Sequence, residues 1–266
     1  MRIIRFISGG KIWLGKQLDD RTAVRIDGDL LGSFTVTAEK LPVEKLLCPL
    51  VPTDILCIGL NYKDHAAESK SEIPKKPMLF IKASNTLNNP GGTIPVPRLS
   101  EQIDYEGELV VVIGKAAKNV SRDAALSYVF GYTIANDVSA RDWQRDRALG
   151  GGQFARGKSF DGFCPLGPCI VTADEIPDPN RLRLKTTLNG QVVQDQTTAD
   201  MVFDVRTLIE SLSSTMTLRP GSVILTGTPS GVGMGRTPPL FMRPGDSVSV
   251  EIEKIGRLDN VVGREE

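Results

Sequence analysis

Apolar positions along the chain come in short runs cut by glycine and proline, not in long helical stripes. Runs at 54–60, 78–82, 106–113, 130–136, 167–172, 182–189, 222–226 and 247–253 predict strands. Helical spacing is confined to 62–70, 121–127, 139–148 and 203–212. Asn189-Gly190 lies between two strand-like runs in "TLNGQVVQ" and predicts a hairpin. Pro244-Gly245-Asp246 predicts a turn into an alternating strand. Residues 1–50 alternate in smaller pieces, "MRIIRFI", "KIWLGKQL" and "TAVRIDGDLLGSFTV", and predict a small N-terminal β domain. Pro49 and Pro52 mark the boundary to a larger domain, 51–266. Many short strands between turns favour a mainly β sandwich or roll with a few helices over a doubly wound parallel sheet.

One strand departs from ordinary core patterning. "DYEGELVVVIG" opens with Asp104, Glu106 and Glu108 at alternate positions before Val110 and Val112. Extended backbone puts all five on one side, so carboxylates crowd the head of a core strand. Gly107 between the glutamates leaves the opposite side bare, as close packing there would require. A second run, 130–136, turns polar at Asn136-Asp137. Two same-side glutamates plus an aspartate from another strand end offer three carboxylate oxygens, a donor set for a hard cation. A bound cation also relieves the mutual repulsion that clustered carboxylates otherwise suffer. The bland reading is an exposed strand end with solvated acids.

Composition narrows the chemistry. Lys+Arg and Asp+Glu are both 32, so no basic excess points to nucleic acid. No apolar stretch approaches a membrane span, and the N-terminus makes a poor targeting signal, so cytoplasm is the default. The four cysteines form no paired motif, and reduced thiols are expected. His65 is the sole histidine, so a multi-histidine zinc site is excluded and any metal takes oxygen ligands. His65 and Glu68 stand three apart on a predicted helix, where a carboxylate can orient an imidazole as a general base. By itself that pair reads more readily as a surface helix carrying a chance His/Glu pair.

Two motif matches lack their context. "GQFARGKS" fits the P-loop pattern, yet a polar helix-like segment precedes it and prolines follow, so nucleotide binding is rejected. "TGTPSGVGMG" is followed by no helix and reads as a loop whose amides could receive an anionic group.

Together, "GLNYKDHAAE", "PMLFIKASNTL", "DYEGELVVVIG", "YTIANDVSARDWQ", "GKSFDGFCPLGP" and "VILTGTPSGVG" resemble the fumarylacetoacetate hydrolase family in order and spacing over residues 51–262. The resemblance implies a mixed β-sandwich roll, a homodimer, and Mg²⁺ or Mn²⁺ held by Glu106, Glu108 and Asp137. It places His65 and Glu68 on a mobile lid over 62–75, Lys158 at the substrate as proton donor or anion stabiliser, and Arg141, Gln144 and Thr228 on its carboxylate or oxo groups. Asp104 is no ligand in that pattern and is expected to support the site. Within the family, "NDVSARDWQ" and "RTPPLFMRPGDSVSVEIEKIG" look most like the oxaloacetate tautomerase branch. The implied activity is keto–enol tautomerisation of a small 2-oxo dicarboxylate through a metal-stabilised enolate. Acylpyruvate hydrolysis and oxaloacetate decarboxylation are the alternatives on the same scaffold. A non-catalytic metabolite-binding relative is the reading from another class.

Overall fold

The structure is a computed structural model and describes residues 1–265. The N-terminal strands β1 (Arg2–Ser8), β2 (Lys11–Gln17), β3 (Thr22–Gly28) and β4 (Phe34–Pro42) form an antiparallel meander. β5 (Lys45–Leu47) then pairs with the far half of β1. The chain continues through β6 (Ile55–Gly59), α1 (Lys63–Glu68), β7 (Met78–Ile81), β8 (Leu87–Asn88), β9 (Thr93–Val96) and β10 (Ile103–Asp104) to β11 (Gly107–Ile113). Next come β12 (Val129–Asn136), β13 (Ser139–Ala140), α2 (Arg141–Arg145), α3 (Phe154–Lys158) and β14 (Cys164–Thr172). The hairpin β15 (Arg183–Leu188) and β16 (Gln191–Thr197) turns at Asn189-Gly190, both at positive φ, as expected of that pair. Last are α4 (Val205–Thr215), β17 (Val223–Leu225), β18 (Ser247–Ile252) and β19 (Gly256–Arg264).

Two sheets make the roll. The larger runs β4-β3-β2-β1-β14-β12-β11-β17-β6-β7, and the smaller runs β16-β15-β18-β19-β9. The N-terminal meander joins the larger sheet through Arg2↔Val171 and Ile3↔Ile170. β11 sits between β12 and β17 and is buried along its whole length. Its alternation divides two apolar clusters. Leu109, Val111 and Ile113 pack with Leu184, Val250 and Ile252 of the smaller sheet and Leu208 and Ile209 of α4. Val110 and Val112 pack with Ile55, Cys57, Val223 and Leu225. A strand paired on both edges and buried on both faces is a stiff platform for whatever its ends carry.

α4 forms because Val205, Leu208, Ile209 and Leu212 share one face at helical spacing, and Asp204 caps its start by accepting from Thr207 N at 2.8 Å. Burial pushes the Asp204 carboxyl up, but hydrogen bonds from Thr207 and the Arg122 guanidinium win and hold it below its ordinary value. A depressed folded-state value stabilises the fold above the unfolded pKa and is lost as pH falls through the folded one. Asp204→Ala is therefore expected to cost about 1 kcal/mol in urea denaturation at pH 7. The gap to wild type should narrow as pH drops below 3.8.

The structure revises three expectations. Residues 121–127 do not form an α-helix; a single 3₁₀ turn covers Ala125–Tyr128. The helix expected over 139–148 begins as strand β13, paired with β10, and α2 occupies only Arg141–Arg145. Asp104, Glu106 and Glu108 do not sit on one continuous strand, because β10 ends at Asp104 and β11 begins at Gly107.

Candidate active site

Glu108 and Glu106 reach the site by different routes. Glu108 lies on β11, on the side of Val110, and its Oε2 accepts from Gly227 N at 2.7 Å. Glu106 lies just before the strand, where its N–H donates to Asn136 Oδ1 at 2.9 Å and its carbonyl accepts from Asp137 N at 2.8 Å. That pairing fixes the start of β11 against the end of β12. Gly107 lets the strand lie close to the smaller sheet: a Cβ there would come within 2.3 Å of Thr186 Oγ1 and 2.9 Å of Val250 Cγ1. Asp137 follows directly on β12. One carboxylate oxygen from each of Glu106, Glu108 and Asp137 lies within 4.8 Å of the other two, and all three residues are buried.

Cations already compensate this cluster. Lys158 Nζ bridges Glu106 Oε2 and Asp137 Oδ2, at 2.5 Å from each. Lys82 Nζ lies 2.6 Å from Asp137 Oδ1 and 3.1 Å from Val138 O. Arg141 Nη2 lies 2.6 Å from Glu106 Oε1, while its Nε donates to Asp104 Oδ2 at 2.8 Å. Burial would push the Glu106 carboxyl up, but Arg141 and Lys158 draw it down to about 2. Glu108 has no such cation at hand. Burial, followed by repulsion from Asp137 and Glu106, raises it well above its ordinary value. Burial favours a neutral Lys158, but Asp137 and Glu106 hold its ammonium charged.

The donor set suits a divalent hard cation. All three groups are carboxylates, and the Lys158 ammonium stands where a bridging positive charge is wanted. Lys82, Lys158 and Arg141 balance Asp104, Glu106 and Asp137, and Glu108 is the carboxylate of the four that forms no ion pair among the described residues.

Glu106, Glu108, Arg141, Gln144, Lys158 and Thr228 line one cavity of about 530 Å³, and His65 and Glu68 line its other side. Asp137 stands behind them, fully buried. His65 Nδ1 lies 3.0 Å from Glu68 Oε2, and Glu68 Oε1 accepts from Gly231 N at 2.9 Å. Burial pushes Glu68 up, but these hydrogen bonds leave it below its ordinary value. α1 therefore lies over the cavity with its dyad clamped to the 226–235 loop. Gln144 Oε1 accepts from Arg141 Nη1 at 3.0 Å, which directs its amide nitrogen elsewhere. Thr228 is less free than the sequence suggested: its hydroxyl donates to Gly107 O at 3.1 Å and accepts from Gln194 Nε2 at 2.8 Å.

The loop "TGTPSGVGMG" does receive anions, but they are the protein's own. Gly227 N meets Glu108, Gly231 N meets Glu68, and Gly233 N and Met234 N meet Asp104 at 2.7 and 3.0 Å. Gly227 adopts φ +95°, and a Cβ there would lie 2.8 Å from Asn61 Cβ. Asp104 is thus a support for Arg141 and the loop, as expected, and stands outside the triad. The P-loop match is itself helical, since α3 spans Phe154–Lys158 and ends where the pattern needs a helix to begin. Its rejection as a nucleotide loop stands. Sequence reasoning missed Lys82. Its signal was a lone lysine closing the apolar run "MLFIK", which reads as a strand end meeting solvent.

A two-sheet roll with a buried carboxylate triad, a buried lysine and a histidine–glutamate dyad on one cavity defines an enzyme class built around hard-cation chemistry. The chain belongs to the fumarylacetoacetate hydrolase family: the family model "Fumarylacetoacetate (FAA) hydrolase C-terminal" matches residues 54–263. A second model, "Rv2993c-like, N-terminal", matches residues 1–49. Oxaloacetate tautomerase YisK of Bacillus subtilis is 44% identical over 238 residues, 88% of this chain and 77% of its own. The mitochondrial oxaloacetate tautomerase fahd2 of Xenopus laevis is 46% identical over 218 residues, 82% of this chain and 68% of its own. Among solved structures, 5-carboxymethyl-2-hydroxymuconate delta-isomerase from Mycobacterium smegmatis superposes with a TM-score of 0.88 at 37% identity, covering 100% of both chains.

Proposed function

We propose that the protein is a divalent-metal-dependent tautomerase of oxaloacetate or a similar 2-oxo dicarboxylate. Glu106, Glu108 and Asp137 would hold Mg²⁺ or Mn²⁺. When bound, that cation supplies Lewis acidity toward the carboxylate and 2-oxo oxygens of the substrate. The observation that carries the reading is that Glu106, Glu108, Lys158 and the His65–Glu68 dyad line one cavity, with Asp137 completing the triad directly behind it.

The chain's own groups divide the proton work. Glu68 takes the hydrogen bond of His65 Nδ1, which leaves Nε2 as the acceptor of a proton from substrate C3. Lys158 stays charged through Glu106 and Asp137 and can donate a proton to the oxygen on which charge develops. Reprotonation at oxygen gives the enol, and the reverse sequence gives the ketone. Burial of Lys158, Gln144 and Arg141 keeps water from that end of the cavity. The two relatives above are named as oxaloacetate tautomerases, in keeping with this reading.

One observation favours a second reading. A cavity of about 530 Å³ has room for more than a four-carbon acid, which suits acylpyruvate hydrolysis by a water that His65 activates. The expected homodimer and a cytoplasmic location belong to the same proposal.

The test follows the enol absorbance of oxaloacetate with and without enzyme and Mg²⁺, with pyruvate assayed in parallel. Faster equilibration without pyruvate supports tautomerisation. Stoichiometric pyruvate overturns it in favour of decarboxylation, and turnover of acetylpyruvate alone favours the hydrolase. His65→Gln should lower kcat by about 10²–10⁴ while leaving Mn²⁺ binding intact.

A further inference from the structure

The cations lining the cavity differ in what they are already doing. Arg141 is committed to Asp104, Glu106 and Gln144, and Lys158 to Glu106 and Asp137. Arg236 spends its donors on Tyr105 Oη, Gly231 O and Val193 O. Arg145 lines the same cavity and, among the described residues, has no acid within ion-pair distance. Among the described residues its one polar side-chain partner is Met234 Sδ, 3.9 Å from Nη1.

α2 sets the position of that free charge. Arg141 and Arg145 are four apart and share a face, so Arg145 stands just over one turn, about 6 Å, further along the helix. Arg141 is buried at the level of Glu106, whereas Arg145 is exposed. In a four-carbon diacid, three C–C bonds of ~1.5 Å separate the terminal carboxyl carbons by roughly 4 Å. With its carboxylate oxygens a further ~1.2 Å out, an acid anchored by one end at the triad directs its other end toward Arg145, within reach of that long side chain. Glu72, the other charged group of the rim not engaged in the site, would repel that end.

We propose that Arg145 is the specificity-determining residue that reads the far carboxylate of a 2-oxo dicarboxylate. The inference rests on the proposed function for where the near end binds. Arg145 touches no reacting atom, so its effect belongs in affinity and KM rather than kcat. A planar guanidinium suits a carboxylate in two-point contact, and a lysine would replace only part of it.

The test compares oxaloacetate with 2-oxobutanoate, which has a methyl group in place of the far carboxylate. Affinities are measured calorimetrically with Mg²⁺-loaded wild type, Arg145→Gln and Arg145→Lys, alongside oxaloacetate kinetics. Arg145→Gln should weaken oxaloacetate by about tenfold or more and 2-oxobutanoate by less than about twofold, with Arg145→Lys between. Equal weakening of both acids, or unchanged oxaloacetate binding, overturns the role. If wild type binds oxaloacetate selectively but does not tautomerise it, the proposed function falls and this inference stands. If oxaloacetate is tautomerised normally by Arg145→Gln with unchanged KM, the inference falls and the function stands. If wild type binds neither acid, both fall.

Discussion

Asp137→Asn is expected to cost about 3–5 kcal/mol in folding stability and to abolish metal-dependent turnover. Asp137 is fully buried, and its two oxygens receive Lys82 and Lys158 at 2.6 and 2.5 Å. Asparagine keeps the shape, so no cavity opens; what disappears is the charge. Lys158 keeps Glu106 as a partner, but Lys82 is left with the Val138 carbonyl. A buried ammonium without a counter-charge is the costly state, far more so than an apolar replacement of the whole pair. The measurement is urea denaturation without metal, paired with Mn²⁺ binding by electron paramagnetic resonance. A double variant, Lys82→Met with Asp137→Asn, should recover part of the stability but none of the metal binding, which separates the two roles. Stability within about 1 kcal/mol of wild type would show that Lys82 finds other compensation. Undiminished Mn²⁺ binding would remove Asp137 from the proposed ligands.

The Asp137 result also bears on what a sequence can reveal. Asp137 itself was legible, because an acid that directly ends an apolar run is an anomaly on the line of the chain. Glu108 was legible for the same reason, through its alternation with Val110 and Val112. Glu106 was found, but by an argument that does not hold: it faces the triad because Asn136 and Asp137 pin its backbone, not because β11 extends back to it. Lys82 was not legible. Its burial depends on Asp137 arriving from 55 residues away, and nothing local distinguishes it from a lysine at a strand end. The strands were read well because glycine and proline cut them cleanly. The helix over 121–127 was overread, since its apolar spacing reflects packing of a single 3₁₀ turn against α4. The continuity of the N-terminal meander with the main sheet rests on two residue pairs from distant segments, β1 and β14, which no local pattern announces.

Lys158→Met is expected to move two quantities in opposite directions. Turnover should fall by about 10²–10³, because the charged donor for the developing oxyanion is gone. Metal affinity should rise. In the present structure the ammonium bridges Glu106 and Asp137, and a cation approaching these oxygens must contend with that fixed charge. A unit charge pair 4 Å apart is worth about 4 kcal/mol at an effective dielectric of 20. Relief of even a third of this makes Mn²⁺ binding about tenfold tighter. Methionine, one atom shorter, keeps most of the apolar stem beside Phe80, over whose ring the ammonium now lies at 5.0 Å. Without metal the variant leaves Glu106 to Arg141 and Asp137 to Lys82, so its apo form should be less stable and its gain in stability on adding Mn²⁺ larger than wild type's. Calorimetric titration of Mn²⁺ and oxaloacetate kinetics on the same preparation decide the matter. If affinity and turnover fall together, Lys158 holds the carboxylates in place for the metal, and the picture of an ammonium in competition with the cation is wrong.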